Sequence, residues 1–181
     1  MVRNSIRNSV VSIIVLFCVA ISTMPAYASW ESGINVITTV DGDLNEKQTF
    51  DTPEDYTTEV MRLVNAERAN DGLPELSCSD TLVLPADIRA KESALLFAHK
   101  RPDGRNCSTV YSDCGLNYRS AGENLAYGYS NPSDLVKAWM NSKSHRENIL
   151  SKNFIYAEVG FFKNQKGAIY CSMLLYSPQL P

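Results

Sequence analysis

The chain has 181 residues, 17 Lys plus Arg against 20 Asp plus Glu, a formal charge of −3 and only two histidines. No concentrated basic patch occurs, which argues against a nucleic-acid partner. The size suits one domain with a sizeable core.

The N-terminus carries Arg3 and Arg7, an uncharged apolar run over residues 10–21, and then Ala26-Tyr27-Ala28. This is the tripartite pattern of an export signal, with cleavage expected before Ser29. A membrane anchor would need roughly 20 consecutive apolar residues, more than this run provides. Cys18 lies inside the run behind the bulky Phe17, a poor setting for lipid modification. Cleavage would remove both arginines with residues 1–28, leaving 15 basic against 20 acidic side chains and a charge of −5.

Residues 29–51 read as an N-terminal arm with one strand at 34–40, and residues 52–181 as the domain. A first helix starts with Thr52 as N-cap, Pro53 in the first turn and Glu54 and Asp55 at the positive end of the dipole. Tyr56, Val60, Leu63 and Val64 form its apolar stripe, Glu67 interrupts it, and Asp71-Gly72 with Pro74 ends it. A second helix is expected over residues 79–98, with Leu84, Ile88 and Leu95 on one face and Pro85 as an awkward interior residue. Arg101-Pro102-Asp103-Gly104 is turn chemistry, and residues 106–120 read as an ordered loop.

A third helix begins at Pro132, carries Leu135, Val136 and Trp139, and breaks near Asn141; a short helical turn follows through His145 to Leu150. Residues 154–162 and 168–176 are β-prone runs joined by a hairpin signal. Helices followed by a terminal hairpin argue for an α+β layered domain on an antiparallel sheet.

Export would place Cys78, Cys107, Cys114 and Cys171 in an oxidising compartment. Of the three possible pairings the short loop favours Cys107 with Cys114, leaving Cys78 for Cys171, with four reduced thiols as the alternative. No CxxC pair supports a zinc knuckle or a thioredoxin-like site.

His99 follows the second helix, where a cation suits the helix end, and His145 opens a short helix. The 46 positions between them exclude HExxH, no GxSxG elbow occurs, and His145-Arg146-Glu147 lacks the downstream P-C-x-x-C of a zinc deaminase.

Five segments in order carry more information: V-N-A-E-R at 64–68, F-A-H-K-R-P-D-G at 97–104, A-G-E-N-L-A-Y-G at 121–128, A-W-M-N-S-K-S-H-R-E-N-I-L at 138–150 and A-E-V-G-F at 157–161. This set resembles the CAP superfamily, most closely its bacterial branch of SCP-domain proteins, over about residues 56–177. The resemblance implies a three-layer α-β-α sandwich with a central antiparallel sheet, and a cleft lined by His99, Glu123 and His145. Eukaryotic members add a glutamate three residues after the helix tryptophan; here Ser142 stands there after Trp139.

Two imidazoles and a carboxylate could bind zinc with a position open for water, or could bind nothing. No cofactor is required on this reading. Glu158 could face the same cleft or stand as an ordinary strand residue. Tyr111, Tyr118, Tyr127 and Tyr129 offer either an amphipathic binding surface or plain packing.

Two functions follow. The first is a secreted, non-enzymatic, monomeric binding module for a metal, lipid, glycan or protein. The alternative is an extracellular hydrolase using Ser142 or Ser144 with His145 and Glu123, or a metal-activated water.

Overall fold

The structure, a computed structural model, describes residue 50 and residues 52–179. The expected signal segment, arm and strand at 34–40 lie outside the described residues.

Helix α1 spans Pro53–Asn70 and starts as its sequence dictates. The Thr52 hydroxyl accepts from the Asp55 N–H at 3.0 Å, and the Asp55 carboxylate accepts from the Thr52 N–H at 3.1 Å. This reciprocal box satisfies two otherwise orphaned donors. At the far end Gly72, at φ +68°, lets the Leu73 N–H return to the Arg68 carbonyl, the reversal that a glycine permits without strain. The buried face is Tyr56, Val60, Met61, Val64 and Arg68. Arg68 extends the apolar stripe as a buried cation and donates to the carbonyls of Pro74, Ile149 and Ser151, joining α1 to distant loops.

Helix α2, Asp80–Leu95, corrects the expected face. Leu84 is 63% and Leu95 80% exposed, and Ile88 only half buried. Leu82, Pro85, Ala86, Arg89, Ala90 and Ser93 point inward instead. The reason is close approach: a Cβ placed at Gly160 would collide with the Ala86 carbonyl, so where the helix crosses β2 only a side chain as small as that of Ala86 fits beneath it. Pro85 does lie in the interior, and its missing N–H leaves one helical bond unmade. The helix stops at Leu95, three residues short of the expectation.

The segment read as a loop contains a short helix α3, Thr109–Asp113, and the start of strand β1, Tyr118–Tyr127. Helices α4, Pro132–Asn141, and α5, Lys143–Ile149, and the hairpin strands β2, Tyr156–Lys163, and β3, Ile169–Pro178, lie where the sequence placed them.

The sheet has order β1-β3-β2 and is antiparallel throughout. Alternate residues of β3 serve two cores. Cys171, Met173 and Leu175 pack with Tyr56, Val60, Leu135 and Trp139 of α1 and α4. Leu174 and Tyr176 pack with Leu82, Ala86, Val110 and Tyr111 of α2 and α3. Helices on both faces of one antiparallel sheet make the expected three-layer α-β-α sandwich.

All four described cysteines are free thiols, and neither expected disulfide is seen among the described residues. Cys107 and Cys114 flank α3, and seven residues at helical rise separate their Cα atoms by roughly 10 Å, beyond the roughly 7 Å a bridge allows. Cys171 lies beneath α1, whereas Cys78 leads into α2 on the other layer, beside Glu158.

Candidate functional site

Strand β1 is an edge strand, and its alternation decides which layer each G-E-N side chain enters. Glu123 lies opposite Leu174, on the α2 face; Asn124 lies opposite Met173, on the α5 face.

The Glu123 carboxylate is almost completely buried, and a charge there needs partners. Arg89 of α2, itself fully buried, supplies them: its Nε donates to Oε2 at 2.6 Å and its Nη2 to Oε1 at 3.2 Å. The His99 Nδ1 lies 2.9 Å from Oε1. Burial by itself pushes the Glu123 carboxyl up, but the hydrogen bonds from His99 and Arg89 outweigh it and hold the group below its ordinary value. His99 moves the other way, to about 9, through its hydrogen bond with Cys107 and then its contact with Glu123.

Behind this pair stands a chain of ions. Arg89 also reaches Glu92, Glu92 accepts from Arg101, and Arg101 reaches Asp113 at 2.6 Å. Arg105 joins Asp103 to Asp113. The network clamps a tight hairpin in which Lys100 bridges Asn106 and the Cys107 N–H returns to the His99 carbonyl at 3.0 Å. Cys107 is thereby held next to His99. One ligand atom each of His99, Cys107 and Glu123 lies within 4.8 Å of the others.

His145 does not join this cluster. Its backbone carbonyl accepts from the Asn124 amide at 3.0 Å, on the opposite face of β1 from Glu123. Asn148 completes that contact by donating to the Asn124 amide oxygen at 2.9 Å. The His145 ring lines a groove of about 300 Å³ with Phe97, Leu125, Tyr127, Tyr129, Trp139 and Ser142. Burial lowers its basicity, as does the charge on His99. Of the implied set, His99 and Glu123 are bonded to each other, and the His145 ring stands in the adjoining, mostly apolar groove.

The groove has an aromatic wall. Tyr127, 56% exposed, stacks on Tyr170 at 5.6 Å and meets the edge of Phe97, 49% exposed, at 5.2 Å. The other expected tyrosines divide: Tyr129 lines the groove, whereas Tyr111 is buried and bonded to the Gly122 and Leu175 carbonyls. Tyr118 leans on the Tyr111 ring.

The Ser142 and Ser144 hydroxyls lie 3.5 Å from each other, and among the described residues neither bonds to the His145 ring or to Glu123. Glu158 belongs elsewhere, in a cleft of about 590 Å³ between α1, α2 and β2 with Glu54, Asp87 and Lys91. Burial there raises its carboxyl.

Sequence reasoning missed Arg89, Glu92 and Arg101. The signal available was a charged residue at a position spaced with Leu82, Pro85, Ala86, Ala90 and Ser93.

Among curated proteins, the chain is 37% identical over 122 residues to the uncharacterized protein YkwD of Bacillus subtilis, a match covering 66% of this chain and 47% of that protein. The chain therefore spans about half the length of that relative. Among solved structures it is similar to an extracellular SCP-domain protein of Bacillus anthracis, with a TM-score of 0.61 and 21% identity, covering 71% of this chain and 45% of the other. It is also similar to an outer surface protein of Borrelia burgdorferi, with a TM-score of 0.65 and 21% identity, covering 73% and 98%. At these identities the two structures speak to the fold alone. The order of the G-E-N and S-H-R-E-N motifs, the sandwich that carries them and the match of residues 61–173 to the model of the cysteine-rich secretory protein family, CAP, agree: the chain belongs to that family.

Proposed function

We propose that the chain is an exported, non-enzymatic binding module whose groove beside His145 holds an amphipathic small molecule with an acyl chain or a flat ring. The observation that carries this reading is the groove itself. Its walls are Phe97, Leu125, Tyr127, Tyr129 and Trp139, with the His145 ring as a polar group among apolar ones, and a mostly apolar pocket with few polar groups is the usual form of a small-molecule site.

Two features weigh against hydrolysis. Glu123 is neutralised by Arg89, so it is poorly suited to act as a general base. The two serines lack a bond to His145, the nucleophile–base contact that such chemistry needs. Export is supported by the N-terminal pattern before Ser29.

The test is titration of a fluorescent fatty acid into the chain beginning at Ser29. Saturable one-to-one binding is expected, weakened roughly tenfold in Tyr127→Ala, as loss of aromatic burial worth about 1.4 kcal/mol requires. Turnover of peptide or ester substrates that disappears in Ser142→Ala or Ser144→Ala would replace this reading with the hydrolase.

A further inference from the structure

We infer that the outer edge of β2, at the floor of the cleft between α1 and α2, is a docking site for an extended basic segment of a partner protein, held as an added strand. The inference goes beyond the binding groove, which shares no lining residue with this cleft.

The sheet order β1-β3-β2 leaves β2 with one paired side and one outer side. Backbone groups of alternate residues point to opposite sides of a strand, and those of Ala157, Val159 and Phe161 point outward. At one end this edge already carries a neighbour. The Ala157 N–H donates to the Ser77 carbonyl and the Ser77 N–H to the Ile155 carbonyl, both at 3.0 Å, which makes a parallel bridge. The chain then turns into α2 at Asp80 and the pairing stops.

Beyond the bridge, side chains stand in for a strand. The Val159 N–H donates to the Glu158 carboxylate at 3.2 Å, and the Phe161 N–H to the Asp87 carboxylate at 3.4 Å. Both are longer than the about 2.9 Å of a well-made amide bond, so the carbonyls of an incoming strand can take their place. The outward carbonyls of Val159 and Phe161 accept no backbone hydrogen bond from outside the sheet among the described residues. The cleft in front of them holds about 590 Å³, with Thr57 and Thr58 of α1 on one wall and Val83 and Lys91 of α2 on the other. From Val159 to Lys163 the edge runs about 13 Å at strand rise, room for about four residues of a partner.

Charge selects the occupant. Glu54, Asp87 and Glu158 line the cleft against a single cation, Lys91. Burial and the charges of Asp80 and Asp87 raise the Glu158 carboxyl, a cost that a lysine or arginine beside it would relieve. Once displaced from the two N–H groups, the Asp87 and Glu158 carboxylates are free to pair with such side chains. Val83, 46% exposed, and the half-buried Phe161 seat the apolar residues between them. Main-chain bonds to a sheet edge supply affinity, and alternate side chains supply specificity.

The test titrates a capped peptide of about seven residues, alternating lysine and valine, into the isotope-labelled chain beginning at Ser29, followed by amide NMR. Saturable one-to-one binding is expected, with shifts centred on Val159, Phe161 and Asp87. A peptide alternating glutamate and valine should not bind. The lysine peptide N-methylated throughout keeps its charge but cannot donate main-chain bonds, and should bind roughly tenfold more weakly or worse. Asp87→Asn combined with Glu158→Gln should weaken the unmethylated peptide by about tenfold while fatty-acid binding in the groove persists. Equal binding of the methylated peptide would overturn strand addition in favour of charge attraction alone. Shifts at the same amides on concentrating the protein without peptide would give the edge to a second copy instead, and no binding at millimolar peptide would overturn the site altogether.

Discussion

At the scale of single residues, Arg89 and Glu123 dominate. Each is buried and charged, so removing one partner strands the other. Glu123→Gln is expected to destabilise the fold by about 3–5 kcal/mol, read as a lower urea midpoint. His99 gives a pH prediction with a definite sign. Its folded value is raised from 6.5 to about 9 by Cys107 and Glu123, so its contribution is complete below pH 6.5 and lost as pH rises through 9. In EDTA, the melting temperature should fall across that window, and His99→Gln should flatten the fall. The sequence marked His99 and Glu123 because their motifs are specific. It did not mark Arg89, because a lone arginine in a helix reads as solvated until the sheet beneath it is known.

At the scale of elements, local signals succeeded where local physics rules. The Thr52–Asp55 box, the glycine reversal at Gly72, Pro132 after the Asn131 cap and the terminal hairpin all depend on residues a few positions apart. Two elements were misread for one reason. Helix α2 packs the face of Leu82, Ala86, Arg89 and Ala90 inward, and β1 has no β-branched residue; both are set by contacts with strands far along the chain. Gly160 is the point where this matters most. Gly160→Ala is expected to cost about 3 kcal/mol or more, since the added methyl meets the Ala86 backbone rather than a movable side chain; urea unfolding measures it. A loss under about 1 kcal/mol would mean that α2 stands further from the sheet.

At the scale of the whole molecule, the four described cysteines test the layer arrangement. Mass spectrometry of the chain beginning at Ser29, after alkylation under denaturing, non-reducing conditions, is expected to find four labelled thiols. In the native protein Cys78 should label before Cys171, since Cys78 is exposed, whereas Cys171 is buried and burial pushes its thiol up to about 12. A single bridged pair would contradict the spacing across α3 or the separation of the two faces. The sequence by itself determined the family, the α+β class, the helix caps, the hairpin and the candidates His99, Glu123 and His145, because these rest on short-range spacing and specific motifs. Only the tertiary structure decided that Glu123 and Asn124 leave β1 on opposite faces, that Arg89 neutralises the carboxylate, and that Cys107 stands with His99 rather than with Cys114. The first of these depends on strand pairing between residues about 50 positions apart, which fixes the side of the sheet each side chain enters.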